Sequence, residues 1–379
     1  MPALHRPLYN TKVKSWDAIV IGGGVIGLSL ALELHKSGCK VLIVERGEPG
    51  REASHAAGGM LVECPSEVPP ALAKLATVGA RMYPEFAREL KDESGHQIDF
   101  RCEGTICFEN VEHLITQDCG EKLDARKLAE LEPAIGNPQL SENRRILGPP
   151  IHSEAVFLRE NSVDPRQLTT AAIHAAKHRG IDMVTGSPVR QVTIENNKVS
   201  RVSTDKSKYS APAVVNCAGA WSAQISPVKI PTRPRKGQML ALVGGPKLRH
   251  VIRTPDVYII PRSDGRTVIG ATVEDVGFDK RTNPETIQRL RNAAISVVPA
   301  LAEAQIHEDW AGLRPGTPDD LPILGPTEIG GYFAATGHFR DGILLAPITA
   351  RIMAQIISGH SPEYDLSPFS PSRFDGQTV

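Results

Sequence analysis

Apolar and polar positions are most sharply ordered over Asp17 to Arg46. An apolar run, Ala18 to Ile21, leads into Gly22. An apolar-rich stretch of helical character then continues to Gly38, and a second apolar run, Val41 to Val44, ends on Glu45. This predicts a βαβ unit. Leu72, Leu75, Ala76, Met82 and Phe86 recur at helix-like intervals within Ala71 to Leu90. Phe100 to Glu109 reads as a hairpin around Gly104, and Asp124 to Leu131 as a polar helix closed by Glu132 and Pro133. Asp164 as N-cap and Pro165 at the first helical position open a helix from Arg166 to Arg179, ended by Gly180. Short strands follow at Asp182 to Thr185, Val189 to Glu195, Val199 to Ser203 and Ala213 to Asn216.

Residues 226 to 275 are punctuated by prolines and carry strand-like runs at Gln238 to Val243, Val257 to Ile260 and Thr267 to Gly270. Asp264 and Gly265 make a hairpin turn between the last two. This antiparallel section suits one wall of a substrate pocket. A helix from Pro284 to Val298 and a strand from Ile306 to Asp309 come next, and then a Gly/Pro-rich turn carrying Arg314. The chain closes with a strand, a turn over Gly337 to Gly342, and a helix whose Pro347 falls within its first turn or so.

At 379 residues the chain suits two to three domain-sized units, with a crossing placed in the polar stretch near Pro149. Lys+Arg and Asp+Glu are both 43, so no net field favours nucleic acid or an anionic membrane, and the expected partner is a small molecule. No stretch reaches the roughly 18 uninterrupted apolar residues of a membrane span. The first fifteen residues read as a short disordered leader, neither signal peptide nor anchor. Six cysteines show no C-x-x-C pair and no metal-ligand spacing with histidine. They read as free thiols in a reducing compartment, which places the chain in the cytoplasm without a metal.

The glycines of the βαβ unit have the G-x-G-x-x-G spacing of a dinucleotide site. Gly22 permits a tight turn, Gly24 lets a pyrophosphate approach the backbone, and Gly27 lets helix and strand pack closely. The anion then meets unpaired N–H groups at a helix start. Glu45, 23 residues after Gly22, is placed to accept from ribose hydroxyls, and its charge argues against a 2′-phosphate. The motif alone does not separate NAD from FAD. Small residues recur over Ser54 to Gly59, at Ala218, Gly219 and Ala220, and over Gly337 to Gly342. These further passes make room for an extended FAD and disfavour a nicotinamide dehydrogenase.

Together VIGGGVIG with Glu45, SHAAGGML, VVNCAGAWS, DVYIIPRSDGRTVIGAT, WAGLRPGT and GHFRDGILLAP resemble the D-amino acid oxidase superfamily of flavoproteins, most closely its glycine oxidases. The resemblance implies an α/β fold in which a Rossmann-like FAD-binding domain is interleaved with a substrate domain of antiparallel β-structure plus helices. The first is expected over 1–70, 150–225 and 320–379, the second over 71–149 and 226–319. The implied FAD contacts begin with Gly22, Gly24, Val25, Ile26, Gly27, Glu45, Arg46, Ala53, Ser54, Gly58, Gly59 and Met60. They continue with Val189, Gly219, His338, Phe339, Arg340, Asp341, Gly342, Ile343 and Leu344. His55 has two readings, a covalent link to the flavin 8α-methyl or, preferred, a polar contact to phosphate or ribose. The final helix would aim its dipole at the flavin N1/C2=O end.

The implied chemistry is oxidation of an amine beside a carboxylate. The α-hydrogen leaves as hydride to flavin N5, an imine forms, and molecular oxygen is reduced to hydrogen peroxide. Arg314 would take the carboxylate bidentately, with Tyr258 adding a phenol hydrogen bond. Arg340 would lie near substrate and flavin, or pair with Asp341 or another acid. His338 would support the loop rather than move protons. Asp256 stands where glycine oxidases can carry histidine, and Val273 where they can carry methionine. Asp256 either recognises a cationic group or points to solvent. The expected substrates are glycine, sarcosine or small D-amino acids, the imine either feeding thiamine thiazole synthesis or hydrolysing, in a homo-oligomer that the resemblance makes a tetramer. The alternative is a D-amino acid or N-methyl amino acid dehydrogenase with another acceptor. A flavin-binding subunit without turnover is disfavoured because Arg314 and Tyr258 are present.

Overall fold

The computed structural model describes residues 15–64, 67–135, 154–226 and 228–375. Apart from Ser15, the expected leader lies outside them, as does the expected crossing near Pro149. Ala18–Ile21 pairs in parallel with Val41–Val44 on one side and with Ala213–Asn216 on the other. Asp182–Val184 and Tyr332–Thr336 extend the sheet in parallel, and Ile323–Pro326 adds an antiparallel edge, giving six strands. Both faces are covered. Ala18, Val20, Val41 and Ile43 pack on helices, whereas Ile19, Ile21, Leu42 and Val44 pack on the side of a small sheet built from Val189–Glu195, Lys198–Thr204 and Lys208–Tyr209. A strand sandwiched in this way needs apolar residues at every position, which is why these runs do not alternate.

The second large sheet has eight strands and is mainly antiparallel. Its order runs from Gln305–Gly316 through Arg233–Val243, Thr267–Gly270, Tyr258–Pro261, Val251–Arg253, Thr105–Cys107 and Ala155–Leu158 to Gly120–Leu123. One face packs on the helix Pro284–Val297. The opposite face carries Met239, Ile260, Val268, Tyr258 and Trp310 against Met60. The expected helix after Pro165 is present as Pro165–His178, with Asp164 accepting from the N–H groups of Arg166 and Gln167. No helix among the described residues is long and apolar enough to cross a membrane.

Four local expectations are corrected. Phe100 to Glu109 is not a hairpin: Phe100–Arg101 pairs with Asn161–Val163, whereas Thr105–Cys107 joins the eight-stranded sheet. Gly104, at φ +92°, marks the parting, and a Cβ there would collide with the Phe157 ring. Arg314 stands in the strand Gln305–Gly316 rather than on a turn. That strand is the sheet edge, which tolerates Pro315. Cys64 and Cys119 form a disulfide, their Cα atoms 5.6 Å apart and 55 residues distant in sequence, a pairing that spacing could not show. It removes the argument for a reducing compartment. Cys39, Cys102, Cys107 and Cys217 are free.

Pro347 lies in the second turn of Gly342–Ile357, deeper than expected. It has no N–H to offer the carbonyl of Ile343 four residues earlier. The hydroxyl of Tyr83, fully buried on the helix Ala73–Ser94, donates to that carbonyl instead. Tyr83→Phe leaves it unpaired in the core and is expected to cost about 1–3 kcal/mol, read as a lower denaturation midpoint at unchanged m-value. An unchanged midpoint would contradict this account of how the proline is accommodated.

Candidate active site

The first strand ends at Gly22, whose φ of +111° suits glycine, and a Cβ there would lie 2.5 Å from the Cys217 carbonyl oxygen. A Cβ on Gly27 would lie 2.0 Å from the Gly22 carbonyl oxygen, so the helix Val25–Lys36 rests directly on the turn. Gly24 caps that helix. The Val25 N–H donates to Ser54 Oγ at 2.9 Å, fixing the small-residue helix Ala53–Ala56 across the helix start. Glu45, 7% exposed, accepts from the Gly23 N–H at 2.7 Å on Oε2 and from the Gly47 N–H at 2.8 Å on Oε1. Each oxygen keeps a lone pair for a ribose hydroxyl. A Cβ on Gly219 would meet nothing within 4 Å, so the second small-residue pass faces open space. These observations fit FAD.

The open space is a cavity of about 1100 Å³ bounded by both large sheets, enough for a dinucleotide and a small substrate. Of the expected cofactor residues, Gly22, Gly24, Val25, Ile26, Glu45, Arg46, Ala53, Ser54, Gly58, Gly59, Met60, Val189, Gly219 and His338 to Ile343 line it. Gly27, His55 and Leu344 do not. Gly27 acts through packing, and Leu344 belongs to the helix-side core. The half-buried His55 ring lies in the field of Arg166, Arg51, Glu308 and Asp164, and its pKa is lowered to about 4, by burial first and then by the two arginines.

Tyr258, Arg314, Arg340, Asp256 and Val273 all line the cavity. Tyr258 faces it from a pair of strands whose Gly270 lies opposite: a Cβ on Gly270 would approach the phenol ring to 2.8 Å. Burial raises the Tyr258 pKa and nearby Arg314 opposes the shift, which keeps a neutral phenol beside a guanidinium. The hydroxyl lies within hydrogen-bonding reach of the Arg314 guanidinium and 3.8 Å from Met239 Sδ. Arg314 Nη1 donates to the Thr272 carbonyl at 3.0 Å. The Phe339 N–H donates to the Pro315 carbonyl at 3.0 Å, tying the Gly337 to Gly342 loop to the strand that carries Arg314. Phe339 adopts φ +46°, a left-handed conformation uncommon for a bulky residue.

Arg340 is exposed and, among the described residues, forms no ion pair; its guanidinium lies 5.1 Å from the Phe339 ring centre. Burial raises the Asp341 carboxyl to about 6 against the opposing charge of Arg340. Asp256 is exposed at the rim, and Val273 is 40% exposed. Trp221 and Arg253 also line the cavity and were not foreseen. Arg46 stacks on Trp221 with its guanidinium 3.9 Å from the ring centre. Arg253, opposite Tyr258 on the paired strand, is held by Glu67, by Glu160 at 3.3 Å and by Glu109 at 3.4 Å. Glu160 is pushed up to about 7 by burial, with Arg253 opposing. These partners lie 93 to 186 residues from Arg253, so no local pattern announced them.

His338 is buried, with Nε2 3.1 Å from Thr349 Oγ1, and burial lowers its pKa to about 3. It is therefore neutral at working pH, as a loop support should be. Between about 3 and 6.5 the unfolded chain binds a proton that the folded chain does not, so this group makes stability rise with pH and its penalty vanishes above that window. His338→Gln is expected to flatten the acid-side slope by up to about 1.4 kcal/mol per pH unit, measured by denaturant melts across that range. An unchanged slope would contradict the assignment.

A dinucleotide cradle opening on the cavity that Arg314 and Tyr258 also line fits an FAD-dependent oxidoreductase. The chain belongs to the family described as DAO, FAD dependent oxidoreductase, whose match covers residues 17–356. It is 31% identical to hydrogen cyanide synthase subunit HcnC of Pseudomonas aeruginosa, over 95% of this chain and 97% of that protein. It is 35% identical to the bifunctional protein ThiO/ThiG of Trichormus variabilis, over 95% of this chain but 55% of that protein. The crystal structure of glycine oxidase from Geobacillus kaustophilus superposes with a TM-score of 0.86 at 29% identity, covering 95% of this chain and 99% of that one.

Proposed function

We propose that the chain oxidises glycine, sarcosine or small D-amino acids to the imine, which hydrolyses to the 2-oxo acid, with molecular oxygen as acceptor and hydrogen peroxide as co-product. The observation that carries this reading is the convergence of Arg314 and the neutral phenol of Tyr258 on the wall of the cavity that the dinucleotide cradle also lines. Arg314, tethered at Nη1 to Thr272, offers its remaining donors to a carboxylate while Tyr258 donates to the same group. Two fixed points orient the substrate Cα. FAD, when bound, supplies the hydride acceptor. An amine bound neutral needs no base to remove the α-proton, so none is asked of the lining histidines His113 and His338, the latter held by Thr349.

The names of the glycine oxidase and of ThiO/ThiG support the substrate class and a thiamine-related fate for the imine. The alternative reading is a D-amino acid or N-methyl amino acid dehydrogenase delivering electrons to an acceptor other than oxygen. We also read the chain as two interleaved units with the boundaries given above, the strand Ala155–Leu158 passing into the second sheet. A homotetramer in the cytoplasm completes the proposal.

The purified protein, assayed in air with glycine, sarcosine, D-alanine and D-proline, should release peroxide with at least one of them. Turnover detected with an artificial acceptor but without peroxide would favour the dehydrogenase. No turnover with any of the four would contradict the proposed substrate class.

A further inference from the structure

We infer that Gly237 and Gly312 are positioning residues: Gly237 seats the guanidinium of Arg314, and Gly312 seats the small-residue helix on the cofactor side. The Gly237 half rests on the carboxylate role proposed for Arg314. The two glycines are register partners across the strands Arg233–Val243 and Gln305–Gly316, where Arg314 stands opposite Arg235. Residues two apart and residues directly opposite share a face of a sheet. Gly237, Gly312 and Arg314 therefore point the same way, and the Arg314 side chain reaches diagonally over Gly237. A Cβ on Gly237 would lie 2.3 Å from Nη1, 2.6 Å from Nη2 and 2.7 Å from Cζ of Arg314. Nη1 and Nη2 are nearer than Cζ, so the Nη edge of the guanidinium fills the space that a side chain on Gly237 would take.

Across the strand pair, a Cβ on Gly312 would lie 2.3 Å from the Ala56 Cβ. Trp310 Nε1 donates to the Ala56 carbonyl at 3.2 Å, clamping Ala53–Ala56 to the same strand. That helix carries Ser54, the partner of the Val25 N–H at the cofactor-binding helix start. Neither glycine has a positive φ, so the backbone alone would accept any residue. Strand interiors disfavour glycine unless something approaches closely. Here two things do, one over each strand of the pair, and the distance between substrate anchor and cofactor segment is set by two missing side chains.

The colliding atoms at Gly237 are the end of a flexible side chain, so Gly237→Ala should move Arg314 and leave the fold intact. A misplacement of this kind costs about 10- to 100-fold. The expected result is a tenfold or larger rise in glycine KM, and in the Kd for acetate followed through the flavin spectrum, with kcat changed less and FAD content and Tm retained. In the Arg314→Ala background, Gly237→Ala should add no further loss of acetate affinity. Gly312→Ala should instead release FAD on dialysis at a Tm that added FAD restores. Wild-type acetate affinity in Gly237→Ala, or an equal loss with and without Arg314, would overturn the Gly237 inference. Full FAD retention in Gly312→Ala would overturn the other half. If wild-type protein itself binds neither acetate nor glycine, the proposed function fails, and with it the Gly237 half. The Gly312 half is still decided by FAD retention.

Discussion

Arg314→Ala should lower kcat/KM for glycine by about 10²- to 10⁴-fold while leaving the protein yellow and folded. The estimate takes two charge-assisted hydrogen bonds at about 1.5–3 kcal/mol each, with about 1.4 kcal/mol per tenfold. Folding should survive because the guanidinium is held by the Thr272 carbonyl and the Tyr258 hydroxyl at the cavity wall rather than within the core. Arg314→Lys should recover little, since a single ammonium cannot take both carboxylate oxygens as a fork does. Steady-state kinetics beside a visible spectrum checks this. A loss below tenfold would remove Arg314 from the centre of the site.

The second large effect is expected at Gly27. In Gly27→Ala the added methyl lies 2.0 Å from the Gly22 carbonyl oxygen, a backbone atom that cannot swing aside. The helix Val25–Lys36 must lift away from the turn, and its first N–H groups withdraw from the pyrophosphate position. Overpacking of this kind costs about 1–3 kcal/mol, so FAD should bind about 5- to 150-fold more weakly, measured by titrating apoprotein with the flavin. Glu45 offers a contrast within the same cradle. Its carboxylate already holds the Gly23 and Gly47 N–H groups, so its removal would loosen the loop as well as the ribose contact.

The sequence was most legible where chemistry and backbone are local. The turn at Gly22, the close packing at Gly27 and the cap at Asp164 each follow from residues within a few positions of one another. Arg314 and Tyr258 were found through motif context, yet the sheet-edge strand carrying Arg314 looked like a turn, because Gly312, Pro315 and Gly316 are turn-type residues that an edge can absorb. The Phe100 to Glu109 segment failed similarly, since alternation does not reveal that two halves pair with different sheets. Long-range pairings were invisible: Cys64 with Cys119, Tyr83 with Ile343, and Arg253 with its three carboxylates. Gly237 and Gly312 carried no signal either, because what makes them glycine is a neighbour folded against them from elsewhere in the chain.

The central claim is that one cavity holds both FAD and an amino acid carboxylate, with Arg314 joining the two. Its most direct test is an anaerobic titration of the purified yellow protein with glycine and sarcosine, run in parallel on wild type and Arg314→Ala. The account predicts that the flavin absorbance of wild type bleaches at modest substrate concentration, and that the variant, still yellow, bleaches only at far higher concentration. Bleaching of both proteins at the same concentration, or of neither, would contradict it.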